Sequence, residues 1–291
     1  MDIIISTLFQ GLIYAVLALG VYITFRVLNF ADMTSEGSFT LGGSVCAIMI
    51  SNDINPMISL VVAGLIGSLA GLFTGILNTK FKIQDILSGI LTMIALYSIN
   101  LRVMGKSNIS LLGKNTIFKM LGNSNMSDFV IGSIICLFLL VCMYLFFKTQ
   151  IGLSVRATGD NEQMARALGI NTNLNKILAL MISGFICSLS GALVVQNQGY
   201  SDINMGTGVI VIALASIVIG EAIIKKDSFL VRLISVVFGA VAYKFIIFFV
   251  LNLGMDPSDL KLFTSAIVII LLCIQNLRKK FIRKGVINTN A

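Results

Sequence analysis

The sequence predicts an all-α, polytopic membrane protein, and three observations support that fold class. Hydrophobic residues make up 57% of the 291 residues and charged residues only 12%, whereas soluble domains carry about 25% charged residues. The mean hydropathy is +0.97. Apolar runs of the roughly 20 residues that a spanning helix needs recur about nine times. We therefore expect a single transmembrane domain over residues 1–291, built as a helix bundle.

Polar and turn-forming residues divide the apolar sequence into its predicted elements. Asn55-Pro56 marks one turn and Pro257 another, because proline lacks the N–H that a helix interior requires. The predicted spans, in chain order, are 3–24, 34–51, 57–79, 86–104, 128–147, 174–196, 206–222, 229–251 and 262–277.

The distribution of lysine and arginine predicts the orientation. With the N-terminus outside, basic residues in the inner segments outnumber those in the outer segments by about three to one, which is a strong positive-inside signal. This places the loop 149–176 and the C-terminus in the cytoplasm. Lys244 falls within a predicted span, where it either extends its ammonium group toward the interface or pairs with a carboxylate.

Small residues recur at four-residue spacing in two predicted spans. Gly67, Gly71 and Gly75 lie on one helix face, and "SGFICSLSGA" repeats the pattern with Gly184 and Ser188. Such residues let helix backbones approach closely in lipid, and ordinary packing within one subunit is the expected use. The tetrapeptides "SLAG" at 68–71 and "SLSG" at 188–191 also favour an inverted repeat, a frequent transporter design.

The composition excludes several kinds of site. The chain has no histidine, so it has no His-based acid–base catalyst and no H-E-x-x-H zinc motif. Its five cysteines all lie in apolar runs without a C-x-x-C pair. We therefore expect no catalytic residues, no metal and no cofactor on this chain. The net charge of +8 reflects loop charges rather than a nucleic-acid partner.

The polar stretch "GLSVRATGDNEQMARALGI", residues 152–170, interrupts this apolar sequence. Asp160 is expected to cap a short helix, with Gln163 as its capping-box partner and Gly169 as the C-terminal stop. Glu162 and Arg166 have the spacing of a helical ion pair. A helix this short is unstable alone in water. It therefore rests either on its own bundle and the lipid surface, or in a groove on a cytoplasmic partner.

Two motifs in the chain resemble the permease subunits of bacterial ABC importers, in the branched-chain amino acid permease family. Members show a G-x-x-x-R-A stretch followed by N-x-x-x-A-x-x-x-G-I, matched here within 152–170. The segment "GLIYAVLALGVYITFRVLNFADMTSEGSFTLGG" resembles the family's first span and the segment after it. The chain departs at Asp32-Met33, where many members have His-Gly. It looks closest to permeases paired with tryptophan- or tyrosine-type binding proteins.

The resemblance implies a coupling role for this loop and a set of partners. In the family the loop forms a coupling helix that docks on a separate ATPase subunit, and an extracytoplasmic substrate-binding lipoprotein delivers the solute. Two permease copies, as a homodimer in the lipid of the bacterial plasma membrane, would form one pathway. The residues predicted to form the coupling site, from this motif and from the short helix, are Gly152, Arg156, Ala157, Asp160, Asn161, Met164, Ala165, Leu168 and Gly169.

The sequence is compatible with ATP being hydrolysed by the partner. It contains no G-x-x-x-x-G-K-[ST] motif, and Gly105-Lys106-Ser107, which comes nearest, has asparagine rather than glycine at position 100. The function implied is import of an amino acid, with aromatic substrates favoured. The alternative is an ion-coupled secondary transporter of a small polar solute, which would call for paired carboxylates inside the membrane, and no mid-span Asp or Glu is evident.

Polar residues near the predicted spans are candidates for the translocation pathway. The segment 29–36 precedes a glycine-rich span and forms either a broken helix facing the substrate or an interfacial loop. Asn100 lies in an apolar run, where an interhelical hydrogen bond is the simpler expectation. The stretch 196–198 lines an outer vestibule, contacts the binding protein, or forms a solvated loop. The pathway residues predicted from these segments are Asn29, Glu36, Ser38, Asn100, Gln196 and Asn197.

Overall fold

The computed structural model describes residues 2–121, 125–224 and 228–253, together with 262, 264–266 and 269. Within this part of the chain the protein is a bundle of α-helices with one two-stranded ribbon. The elements are α1 Asp2–Tyr22, continued by a π-helical turn Ile23–Val27, α2 Thr34–Ser51, α3 Pro56–Thr79, α4 Asp85–Met104, β1 Asn108–Ser110, α5 Ile117–Leu121, α6 Asn125–Lys148, α7 Gln150–Asp160, α8 Glu162–Ala167, α9 Thr172–Gln198, β2 Tyr200–Asp202, α10 Val209–Ile223 and α11 Phe229–Asn252.

The bundle has two distinct ends. At the strand end, β1 and β2 pair antiparallel with Ile109 opposite Ser201, and Lys114 Nζ lies 2.7 Å from Asp53 Oδ1. At the loop end, Arg26 forms an ion pair with Glu221, and α7 and α8 lie across the helix termini. Successive long helices run between these ends in alternating directions, as the sequence predicts.

Among the described helices, α3 and α9 pack most extensively against each other, because small residues line their interface. A Cβ added at Gly67 would lie 2.2 Å from Ser188 Cβ, and one at Gly71 would lie 2.1 Å from Leu180 O. Gly75 faces Ile177 at the same interface. The expectation that these residues serve packing within one subunit is confirmed. The tetrapeptides "SLAG" and "SLSG" both lie in this antiparallel helix pair, and the inverted repeat stays a prediction.

Among the described residues, six helices are long and apolar enough to span a bilayer, namely Ile3–Val27, Pro56–Thr79, Asp85–Met104, Met126–Lys148, Thr172–Gln198 and Phe229–Asn252. The polytopic α-helical fold is confirmed. Helix α10 has only 15 residues, or about 22 Å at 1.5 Å per residue, and α2 is rich in glycine, serine and threonine. The predicted span 262–277 falls almost wholly outside the described residues, so the count of nine stays a prediction.

Helices α2 and α10 both begin inside the bundle. After the π-helical turn the chain reverses direction, with Phe30 N bonding back to Thr24 O at 2.9 Å, before α2 starts at Thr34. Asp32 lies in this reversal, is 2% exposed, and its Oδ1 accepts a hydrogen bond from Thr34 N at 2.8 Å. The helical structure is interrupted over residues 28–33, as the broken-helix alternative for 29–36 expects, and the contact of this segment with a substrate stays a prediction. Asp32 lies between the predicted spans rather than inside one, and the chain reversal buries it in the bundle.

Candidate functional site

The loop between α6 and α9 folds as two short helices rather than the single one predicted. The Thr149 side chain caps α7 by accepting a hydrogen bond from Gly152 N at 3.2 Å. The cap of α8 is Asn161, whose Oδ1 accepts from Met164 N at 3.0 Å. The prediction of Asp160 as this cap is wrong by one residue. Asp160 is still helical as the last residue of α7, whereas Asn161 has an extended backbone that suits an N-cap.

Close backbone contacts hold α7 against the bundle. A Cβ added at Gly152 would lie 2.3 Å from Phe146 O, and one at Gly159 would lie 1.9 Å from Val27 O. Only glycine allows these approaches. The Arg156 guanidinium lies 4.9 Å from the centroid of the Phe229 ring, a cation–π arrangement. Helix α7 therefore contacts α6, the end of α1 and the start of α11 at once.

Helix α8 is fixed to the start of α9 by charged and hydroxyl groups. Glu162 Oε2 lies 2.9 Å from Lys176 Nζ, and its Oε1 lies 2.6 Å from Arg166 Nη2, which confirms the predicted i,i+4 pair. Arg166 Nε also donates to Thr172 Oγ1 at 2.8 Å. Behind them, Asn175 Nδ2 donates to Thr158 Oγ1 at 3.0 Å. These contacts tie the two short helices to the start of α9.

Neighbouring positively charged groups determine the protonation state of the Glu162 carboxyl. Partial burial alone would raise the pKa of this carboxyl, but the hydrogen bond and charge of Lys176, with the charge of Arg166, leave the pKa below its ordinary value. Glu162 is therefore anionic at neutral pH, and the connection between α8 and α9 is a charged one.

The apolar residues of α8 and its C-cap are divided between the bundle and the solvent. Ala165 is 1% exposed and packs inward. Met164 is 61% exposed and Leu168 is 66% exposed. Gly169 has φ of +79° and ends the helix as predicted. Ala165 faces the bundle because the contacts of Glu162 and Arg166 with α9 hold that side of α8 inward, and Met164 and Leu168 face away from it.

Both helices expose apolar side chains at the loop end, Ile151 and Leu153 on α7 and Met164 and Leu168 on α8. Met164 and Leu168 are four residues apart and share one face of the chain, and we call this pair the docking surface. The remaining predicted residues of this loop, Ala157 and Asn161, are half-buried and exposed respectively. Exposed apolar side chains on a surface helix are suited to a groove on another protein.

A second candidate site is a cavity of about 370 Å³ between α2, α4 and the segment that leads into α10. Glu36, Thr40, Tyr97 and Asn100 supply its side-chain polar groups. Asn204 and Thr207 lie on the opposite wall. This mixture of carboxylate, amide, hydroxyl and aromatic groups is suited to a small polar solute with an apolar part.

Glu36 joins the two helix starts at this cavity. Its Oε1 accepts a hydrogen bond from Gly208 N at 3.0 Å, the residue before α10, so the carboxylate lies at the positive end of that helix. Asn100 is 1% exposed. Its Nδ2 donates weakly to Gly37 O at 3.4 Å, while its Oδ1 has no partner within the described part of the chain. An unpaired buried amide oxygen is costly, which is consistent with a site built for a ligand donor.

The structure brings together only two of the predicted pathway residues, Glu36 and Asn100. Asn29 is exposed at the loop end with φ of +55°. Ser38 is fully buried outside the cavity lining, with its Oγ unpaired among the described residues. Gln196 is buried and its amide cross-links the fold: Oε1 accepts from Ile117 N at 3.0 Å, and Nε2 donates to Pro56 O at 3.2 Å. Asn197 is half-buried and does not line this cavity.

Tyr97 is the cavity residue that sequence reasoning missed. It precedes Asn100 by three residues in α4, which puts the two side chains on the same helix face. That spacing was the available signal, but an aromatic residue in an apolar run is ordinarily taken for lipid contact. Tyr97 is 49% exposed, so the cavity is open along the outer face of α4.

Comparison with known proteins gives the family. The family model for the branched-chain amino acid transport system permease component matches residues 3–273. The chain is 46% identical over 274 residues to the tyrosine transport system permease protein of Clostridioides difficile (strain R20291), covering 94% of this chain and 92% of that relative. It is 25% identical to the ribose import permease protein RbsC of Escherichia coli (strain K12), covering 93% and 84% respectively.

A solved structure, PsaBC from Streptococcus pneumoniae in complex with Fab, superposes with a TM-score of 0.53 at 15% identity. It covers 91% of this chain and 89% of that chain, and the likeness extends to the fold alone. The chain belongs to the branched-chain amino acid permease family of ABC transporters, and it is an integral plasma-membrane permease subunit whose ATPase and substrate-binding functions reside on other subunits.

Proposed function

We propose that the chain is the permease of an ATP-driven importer of an amino acid, with aromatic amino acids and tyrosine first among the candidates. The 46% identity to a tyrosine transport system permease protein supports this substrate. The cavity beside Tyr97 offers both an aromatic contact and a carboxylate, Glu36, that suits the ammonium group of an amino acid.

The single observation that carries the coupling role is the docking surface. Met164 and Leu168 are exposed on a helix whose other side is tied to α9 by Glu162 and Lys176. A force applied to α8 is therefore transmitted to α9, which packs on α3 along its small-residue face. Rigid-body rocking of these helices would open the bundle alternately to each side.

The proposed orientation puts the N-terminus outside and the loop end in the cytoplasm, with the C-terminus. The alternating helix directions support it, because Arg26, Lys148, Arg156 and Lys176 then share the inner side. The strand end would receive the extracytoplasmic binding lipoprotein. Residues 1–291 would act as one transmembrane domain with residues 149–176 as its coupling loop.

A homodimer would complete the pathway. The α4 wall of the Glu36 cavity is open, since Ile94 is 59% exposed beside Tyr97. A second copy facing α4 in the lipid bilayer would close the cavity. Disulfide cross-linking of Ile94→Cys tests this arrangement, with Ile134→Cys, equally exposed on α6, as the control. Cross-linking of Ile134→Cys in place of Ile94→Cys would contradict it.

The coupling role is tested with Leu168→Asp and Met164→Asp. Co-purification with the ATPase subunit should fall at least ten-fold for either variant, because a buried unpaired carboxylate costs several times the ~1.4 kcal/mol that corresponds to a factor of ten. The control is Leu112→Asp, which changes a residue 88% exposed at the strand end. Normal ATPase binding by both loop variants would show that α8 does not dock.

A further inference from the structure

Lys244 of α11 lines a polar notch on the outer surface of the bundle. Its Nζ is 3.5 Å from the centroid of the Tyr14 ring. Across the described part of the chain, no carboxylate lies within ion-pair distance of this ammonium group. A cation in a spanning helix is costly and normally has a partner.

The notch is a cavity of about 400 Å³ between the strand-end halves of α1 and α11. It lies beyond the contact at Gly11, where an added Cβ would come within 3.0 Å of Val241 Cα. Its polar side chains are Ser6, Thr7, Gln10 and Lys244, and its rim is apolar, with Ile3, Ile247, Phe248 and Leu251.

The hydrogen-bonding capacity of the notch is largely unused. Thr7 Oγ1 donates to Ile3 O at 2.9 Å. The side chains of Ser6 and Gln10, one helical turn apart, make no hydrogen bond to any residue that the structure describes. Ser6, Gln10 and Lys244 all line the cavity, and each of their side chains can donate further hydrogen bonds. In hydrocarbon such groups need an acceptor.

The chemistry identifies that acceptor as an anion attached to an apolar body. One positive charge without a carboxylate partner calls for one negative charge, and the additional donors of Ser6 and Gln10 suit the oxygens of a phosphodiester. The rim of Ile3, Phe248 and Leu251 suits the glycerol and upper acyl carbons. Lys244 is eight residues from the end of α11, about 12 Å along the helix axis, so it lies in the strand-end half of that helix.

We propose that this notch binds the phosphate of an anionic phospholipid, held by Lys244, Gln10 and Ser6. The notch is separate from the Glu36 cavity, since the two share no lining residue. The proposal stands on the membrane location of the chain and not on its transported substrate or its ATPase partner.

Native mass spectrometry of the full-length chain, delipidated in neutral detergent, tests the proposal. The protein is offered an equimolar mixture of phosphatidylglycerol and phosphatidylcholine of the same acyl chains. As the first bound lipid, phosphatidylglycerol should outnumber phosphatidylcholine about five-fold, which is the ratio that one lysine contributes to binding an anionic lipid. Lys244→Met should abolish the preference, and Lys244→Arg should keep it.

The matched control is Lys106→Met, which removes an exposed strand-end charge that forms no ion pair among the described residues. It should bind like the unaltered chain. A preference retained by Lys244→Met, or lost by Lys106→Met, would overturn the proposal. Loss of bound phosphatidylglycerol on adding millimolar inorganic phosphate or free tyrosine would also overturn it, by assigning the notch to a soluble anion or to the substrate.

A second variant tests the same proposal if the Lys244→Met protein is not monodisperse. Gln10→Leu leaves the lysine in place and removes one exposed donor at the surface of α1. Phosphatidylglycerol preference should then fall at least two-fold. An unchanged preference in Gln10→Leu would contradict the assignment of the notch.

Discussion

Glu36 in α2 accepts a hydrogen bond from the backbone N–H of Gly208, at 3.0 Å, immediately before α10. This one contact joins the starts of the two helices that begin inside the bundle. It also leaves a carboxylate at the wall of the candidate substrate cavity. The same group therefore serves both the fold and the proposed site, and substitutions can separate the two roles.

Glu36→Ala should lower the free energy of unfolding by about 1–2 kcal/mol, the ordinary cost of removing a helix cap and its charge. Glu36→Gln should cost less, because its amide oxygen still accepts from Gly208. Thermal unfolding followed by circular dichroism measures both. If the glutamine variant is as unstable as the alanine variant, the hydrogen bond is not what stabilises this junction.

Uptake should depend on Tyr97 and Asn100 more than stability does. Asn100→Leu removes an unpaired buried oxygen, so the protein should unfold at an equal or higher temperature, while uptake in proteoliposomes with the complete transporter falls at least ten-fold. Tyr97→Ala should likewise lower uptake, with Tyr97→Phe as the milder control. Unchanged uptake in Asn100→Leu would remove the cavity from the pathway.

The α3–α9 contact should tolerate no added volume. Gly67→Val places its side chain against Ser188 Cβ, which is 2.2 Å from the added Cβ position, and should destabilise the protein by roughly 1–3 kcal/mol or more through overpacking. Leu69→Val, on the exposed side of the same helix, is the control and should change stability by less than about 0.5 kcal/mol. Equal melting temperatures for the two variants would mean that the helices are not packed as closely as described.

The anchor between α8 and α9 should weaken in acid. The pKa of Glu162 is lowered in the folded protein, so the unfolded chain binds this proton more tightly than the folded one. The stabilisation is therefore complete above the ordinary value of 4.5 and is lost as the pH falls through the lower folded value. Hydrogen exchange of residues 161–176, corrected for the intrinsic pH effect, should accelerate below pH 4.5.

Glu162→Gln is the control for this pH effect. It should show the faster exchange already at pH 7 and no further change in acid. Exchange in the unaltered chain that follows the intrinsic rate down to pH 3 would mean that the ion pair with Lys176 does not hold α8.

The sequence alone determined the membrane fold, the approximate helix positions and the family. Long apolar runs leave no other way to satisfy backbone hydrogen bonds in lipid, and the motif within 152–170 is local. It also identified Gly67 and Gly71 as packing residues, because their spacing puts them on one helix face. These features need only neighbouring residues or helical periodicity.

Only the tertiary structure decided which polar residues meet. Asn100 and Gln196 look alike in the sequence, as amides near apolar runs. The fold gives Gln196 partners from Ile117 and Pro56 and leaves the Asn100 oxygen unpaired beside a cavity. Likewise Ala165 turns inward because residues 172–176 of α9 hold α8 in one rotation. Such outcomes depend on contacts between segments far apart in the chain, which no local spacing encodes.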